Sequence, residues 1–117
     1  MIQKFSELTE QELFDKVAKH LLAQNKKSYK SAETECTYRS PEGLKCAAGC
    51  LIEDDEYLPL MEDKTWSRLC AQGYAKTDHR DLIDRLQKIH DLYEPEEWRD
   101  QLRDAAAHLA LKFNETI

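Results

Sequence analysis

Residues 9–22 read Thr9-Glu10-Gln11-Glu12-Leu13-Phe14-Asp15-Lys16-Val17-Ala18-Lys19-His20-Leu21-Leu22. A threonine hydroxyl accepts from the free N–H groups at a helix start, and Glu12 stands three places on, at the spacing of a reciprocal capping box. Leu8 and Leu13 hold the two positions of a hydrophobic staple around that cap. Leu13, Phe14, Val17, Ala18, Leu21 and Leu22 then recur at helical spacing and form one apolar stripe. Asn25 supplies a stop. The stretch predicts an amphipathic helix over residues 10–24.

The same reasoning works outward to the other end. Thr77 or Asp78 caps a helix whose stripe is Leu82, Ile83, Leu86, Ile89 and Tyr93. Pro95 suits the first turn of a second helix, with Trp98, Leu102, Ala105, Ala106, Leu109 and Phe113 on its stripe. The short link at Glu94 predicts a helical hairpin. Trp66, Leu69 and Cys70 fall at helical spacing, with Gly73 as a cap and Pro59 as a break before them. Residues 25–35 are polar, carry Lys26, Lys27 and Lys30, and are expected to form an exposed loop. Ser40-Pro41-Glu42-Gly43 has turn chemistry, because proline presets φ and glycine tolerates positive φ. It predicts a two-stranded hairpin with arms near 36–39 and 43–45. The apolar run Cys46-Ala47-Ala48-Gly49-Cys50-Leu51-Ile52 has one β-branched residue and reads as a short buried helix, with Gly49 allowing another element to approach closely. The expectation is one domain over residues 1–117, mainly α (α+β): a compact helical domain with a small two-stranded hairpin.

Composition bounds what such a domain can do. The chain has 117 residues, 41% of them hydrophobic, and only 3 Gly and 3 Pro. A chain of this length buries enough surface to fold without a metal or disulfide. Residues 1–12 contain no apolar run and carry Lys4, Glu7, Glu10 and Glu12, unlike a secretory leader. No stretch approaches the ~18 apolar residues of a membrane span. Four cysteines without a leader point to reduced thiols and a cytoplasmic location. The net charge of −6 is uneven: residues 1–52 carry +1 and residues 53–117 carry −7. An acidic half repels phosphate backbones, which argues against direct nucleic-acid binding and suits a protein partner with a basic surface.

Three groups of residues have types that carry chemistry. Cys36, Cys46 and Cys50 follow the pattern C-x9-C-x3-C. On a helix Cys46 and Cys50 would share a face, and His20, His79, His90 or Cys70 would complete a tetrahedral zinc site. The pattern lacks a C-x2-C knuckle and its surroundings are small and apolar, so buried metal-free thiols are expected instead, with no cofactor. Cys46 would open its helix, where exposed N–H groups lower a thiol's pKa, and His90 with Asp91 would supply a base and its orienting group. Adjacent residues on a helix point about 100° apart, however, so Asp91 is expected to be poorly placed to orient His90. His90 also lies beside Ile83 and Leu86 on the apolar stripe. Glu53, Asp54, Asp55 and Glu56 lack the alternation and central glycine of a calcium loop and read as a solvated acidic surface. Glu96–Asp104, with Arg99 and Arg103, reads as an exposed face with i,i+3 and i,i+4 ion pairs.

The run Cys36-x-Tyr-Arg-Ser-Pro-x-Gly-Leu-Lys-Cys46-Ala-Ala-Gly-Cys-Leu-Ile-x-Asp54 resembles a family of small uncharacterised bacterial and bacteriophage proteins. Leu86-Gln-x-Ile-His90-Asp91, Pro95-x-x-Trp98, and Phe14-Asp-Lys-Val17 with Leu21-Leu22 are similar to other parts of the same family. The resemblance implies a phage or bacterial context and imports no activity. The sequence reading is therefore a small acidic interaction protein that binds and modulates or inhibits a host protein or nucleic-acid-handling complex. Glu53, Asp54, Asp55 and Glu56 are its expected contact residues. The alternatives are a small cysteine enzyme built on Cys46 and His90, and a zinc-stabilised binding module.

Overall fold

In the computed structural model, which describes Ile2, residues 4–29 and residues 37–117, four helices account for most of the regular structure. The first, α1, runs Glu10–Gln24, then α2 Trp66–Ala71, α3 Arg80–Leu92 and α4 Pro95–His108. Each boundary has a local cause. At α1, the Thr9 hydroxyl accepts from the Glu12 N–H at 3.1 Å and the Glu12 carboxylate accepts from the Thr9 N–H at 2.9 Å. Asn25 ends it in the left-handed region at φ 51°. Thr65 caps α2, and Gly73 at φ 82° turns the chain out of it, so that the Tyr74 N–H returns to the Leu69 carbonyl. At α3 the cap is His79, with the Thr77 hydroxyl accepting from the His79 N–H. Pro95 opens α4 as its missing N–H allows.

The apolar stripes meet in one core. Leu13, Phe14, Val17 and Leu21 of α1, Ile83 and Leu86 of α3, and Trp98 and Leu102 of α4 are all fully buried. The helix α3 packs against each of the other three, and α1 also packs on α4. The radius of gyration is 13.3 Å, against about 13 Å for a close-packed domain of this length. Residues 2 and 75 form a parallel bridge along the edge of this core, with Ile2 buried.

Five expectations need correction. First, no strand forms among the described residues, so the two-stranded hairpin is absent. The Ser40–Gly43 turn is present, with the Ser40 N–H donating to the Leu44 carbonyl at 2.8 Å, but its arms share only the Arg39–Lys45 bridge. The backbone at Tyr38 and Arg39 donates to Glu62 instead of to a partner strand. Second, residues 46–52 form a tight turn and a 3-10 segment, Gly49–Leu51, where a short helix was expected. Gly49 does have the expected close neighbour: a Cβ there would lie 2.1 Å from the Tyr38 carbonyl oxygen. Third, the described part of the 25–35 loop is exposed only at Asn25 and Lys26, and by Ser28 the chain is fully buried. Fourth, α4 ends at His108, before Phe113, because Ala110 turns left-handed and the Leu111 N–H returns to the Ala106 carbonyl. The tail then folds back, and Arg99 and Arg103 lie over the Phe113 ring at 5.8 and 5.4 Å. Fifth, Asp91 does reach His90, its carboxylate lying 2.8 Å from the ring Nδ1.

Candidate functional site

The most connected polar cluster is built on α3. Gln87 and Asp91 stand one turn apart, and Gln87 Nε2 donates to Asp91 Oδ1 at 2.9 Å. The adjacent His90 places Nδ1 2.8 Å from the same oxygen. Nδ1 is the ring nitrogen nearer the backbone, and the short carboxylate turns towards it, so the two span the angle that helical geometry sets between neighbours. The far nitrogen, Nε2, accepts from the Ser28 N–H at 3.0 Å. That bond fixes the tautomer: Nε2 holds a lone pair, and Nδ1 carries the proton donated to Asp91. His90 is fully buried and stacks on Trp98, with centroids 5.4 Å apart. Ser28 passes the network on, because its hydroxyl bonds Thr37 at 3.1 Å and the Leu44 carbonyl at 3.1 Å. At the other end, Gln87 Oε1 accepts from the Ala48 N–H at 2.9 Å. One chain of hydrogen bonds thus ties α3 to residue 28, residues 37–44 and the Cys46 turn.

Cys46 opens that turn, and its sulfur accepts from the Gly49 N–H at 3.3 Å. Burial dominates its acidity and pushes the thiol far above its ordinary range, with the Gly49 bond a smaller opposing influence. Cys46 is therefore a protonated, buried thiol at neutral pH. Cys50 is half-buried, donates to the Ala47 carbonyl at 3.1 Å and is pushed up to about 12, again chiefly by burial. Both nitrogens of His90 are engaged, with Asp91 and Ser28, and none of the described hydrogen bonds joins His90 to Cys46. Cys46, Cys50 and Cys70 are free thiols. Among the described residues no three metal-ligating side chains converge. Cys36, the third cysteine of the zinc alternative, lies outside the described residues.

A cleft of about 670 Å³ opens beside this network. Residues 37–38 form one side, residues 62–66 another and α3 the third, with Cys46 also in its lining. Glu62, which the sequence reading missed, organises the first side. Its carboxylate accepts from the Tyr38 N–H at 3.0 Å, the Arg39 N–H at 3.2 Å and the Tyr57 hydroxyl at 2.6 Å. The Tyr57 hydroxyl is pushed up to about 12 by burial and by this bond. The Arg39 guanidinium lies 4.5 Å over the Tyr57 ring, donates to the Ile52 carbonyl at 2.9 Å and pairs with Asp54 at 2.9 Å. No sequence signal singles out Glu62. Gln87 was detectable as the residue one turn before Asp91.

The acidic run divides. Glu53, Asp54 and Asp55 are exposed, whereas Glu56 is buried and its carboxylate accepts from the Glu53 N–H at 3.2 Å. Next to them Leu58 and Leu60 are 43% and 50% exposed, two of the large apolar side chains that face solvent. No described helix is long and apolar enough to cross a membrane. No protein-family model, no curated protein and no solved structure matches the chain.

Proposed function

We propose that this chain is a small interaction protein that binds a host protein through the surface at residues 53–60, and so modulates or inhibits it. The observation that carries the reading is the composition of that surface. Glu53, Asp54 and Asp55 stand exposed immediately before the exposed Leu58 and Leu60. Negative charge steers a basic partner into encounter, and apolar side chains in the same patch supply contact area once it docks. The resemblance to small bacterial and phage proteins suits a partner in the bacterial cytoplasm. The neutral, buried Cys46 and the occupied nitrogens of His90 weigh towards binding over cysteine chemistry.

The test is capture of partners from a bacterial lysate, followed by association kinetics with the purified partner across ionic strength. The triple change Glu53→Gln, Asp54→Asn, Asp55→Asn should slow association and flatten its salt dependence, and Leu60→Ser should speed dissociation. An association rate indifferent to salt and to all three neutralisations would refute the reading. Loss of effect on the partner in Cys46→Ala and His90→Ala, with the fold intact, would favour catalysis.

A further inference from the structure

The helix α4 stops where its sequence gives no reason to stop. Residues 105–112 read Ala-Ala-Ala-His-Leu-Ala-Leu-Lys, in which alanine, leucine and lysine are good helix formers and no glycine, asparagine or proline marks an end. The break is made instead by Ala110, at φ 56°. The other non-glycine residues described with positive φ are Asn25 and Asp63, types that tolerate this region, whereas alanine is strained there. Such a conflict between local preference and observed backbone marks a strained or functional position. Beyond it the chain is held lightly. Residues 111–117 fold back on α1 and α4, and none of them is buried. Leu111, Phe113 and Ile117 pack partly on the core. Gln11 bonds the backbone of Lys112, and Arg99 donates to the backbone oxygens of Glu115 and Ile117. Arg103 donates to the Glu115 carboxylate from Nε at 2.8 Å and from Nη2 at 3.0 Å. The Arg103 and Glu115 side chains are 46% and 54% exposed, and exposed pairs contribute little to stability. The seat is specific all the same: an amide for a peptide group, two guanidiniums over an aromatic ring, and a fork for a carboxylate.

We propose that α4 straightens through Ala110 and Leu111, and that residues 112–117 of one copy then seat on Gln11, Arg99 and Arg103 of a second copy, which returns its own. The seat names its occupant, because Phe113 and Glu115 of a second copy offer the groups that already fill it. Each of its contacts is kept in the exchanged dimer. The left-handed Ala110 becomes helical, and the Leu111 N–H trades its Ala106 acceptor for the Ala107 carbonyl, as i to i−4 pairing requires. Exchange of an identical element is a low-cost route to a dimer. Lost freedom of two molecules opposes it, so concentration decides between the closed monomer and the exchanged pair. The surface at residues 53–60 takes no part.

The test is size-exclusion chromatography with light scattering on the full chain, over a concentration series up to its solubility limit. A dimer should grow in with concentration. Ala110→Gly accepts the left-handed angle and weakens the straight helix, so it should weaken dimerisation roughly thirtyfold, the strain of two hinges being lost as a driving force. Ala110→Val, a β-branched residue at positive φ, should strengthen it. Position 110 is exposed, so neither change disturbs packing. Dimers formed from equal amounts of isotope-labelled and unlabelled chain should show filtered nuclear Overhauser effects from Phe113 of one copy to Arg103 of the other. Phe113→Ser with Glu115→Gln should abolish the dimer while amide spectra of the other helices stay unchanged. A parent chain and an Ala110→Val chain that both remain monomeric overturn the proposal. So does a dimer without the Phe113–Arg103 effect between copies, which is a side-by-side pair, or one that survives the double change. Equal dimerisation of the glycine and valine variants overturns the hinge as its cause.

Discussion

A Cβ at residue 49 would stand 2.1 Å from the Tyr38 carbonyl oxygen and 2.9 Å from its carbon. Both are backbone atoms, held in turn by Glu62 through the neighbouring N–H groups. Relief therefore requires the 37–39 segment to move. Gly49→Ala should lower unfolding stability by about 3 kcal/mol, the upper end of the usual overpacking range. Gly43 and Gly73 have positive φ but open space around a Cβ. Alanine at either should cost only about 1 kcal/mol, from backbone strain alone. Urea melts of the three variants check this, and equal losses would show that space at residue 49 is not the constraint. Cys46→Ser tests the neighbouring position: a hydroxyl in the buried site of a thiol should cost roughly 1–3 kcal/mol. At this scale the sequence was informative about need but not about partners. The glycine in an apolar run signalled close approach, yet nothing local to it pointed to Tyr38, eleven positions back. Glu62 was invisible for the same reason, because its role depends on what the fold brings to it.

The four helices were legible because capping and amphipathic spacing are written within a few residues of where they act. The expected 10–24 span and the Thr9–Glu12 box agree with α1 for that reason. The hairpin failed because a strand pair needs a register of partners, and turn residues specify only its closed end. Ser28 was misjudged because polarity alone does not distinguish a solvated loop from one whose hydrogen bonds are made inside. The helix α1 also offers a pH test. His20 on α1 bonds the Lys45 carbonyl at 2.9 Å. Burial holds its pKa below the ordinary 6.5, with that bond a smaller opposing influence. As pH falls below 6.5, the unfolded chain takes up a proton that the folded chain resists, so the folded state loses stability down through the depressed value. His20→Gln should make the decline in unfolding free energy shallower from pH 6.5 downwards, compared with the parent chain. Identical slopes would remove His20 as a contributor.

For the whole molecule, sequence position and spatial position are poorly matched. The cleft draws on residues 37–38, 46, 62–66 and 84–91, and no local pattern joins these stretches. The earliest helix is completed by the latest residues. Gln11 on α1 exchanges two hydrogen bonds with the backbone of Lys112, at 2.9 and 2.8 Å across 101 positions. The fully buried Trp98 and Leu102 come from α4. A chain ended after Leu92 should therefore lack a cooperative urea transition and show poorly dispersed amide signals, and a sharp transition in that fragment would contradict this. The same mismatch bears on birth of the protein at the ribosome. Synthesis is vectorial, so α1 emerges with its stripe of leucine, phenylalanine and valine long before the residues that cover it. The nascent chain carries this stripe uncovered until α3 and α4 have followed it out. Folding around α1 must then wait until α3 and α4 have emerged, and a chaperone that shields short apolar helices during translation would raise the yield of folded protein.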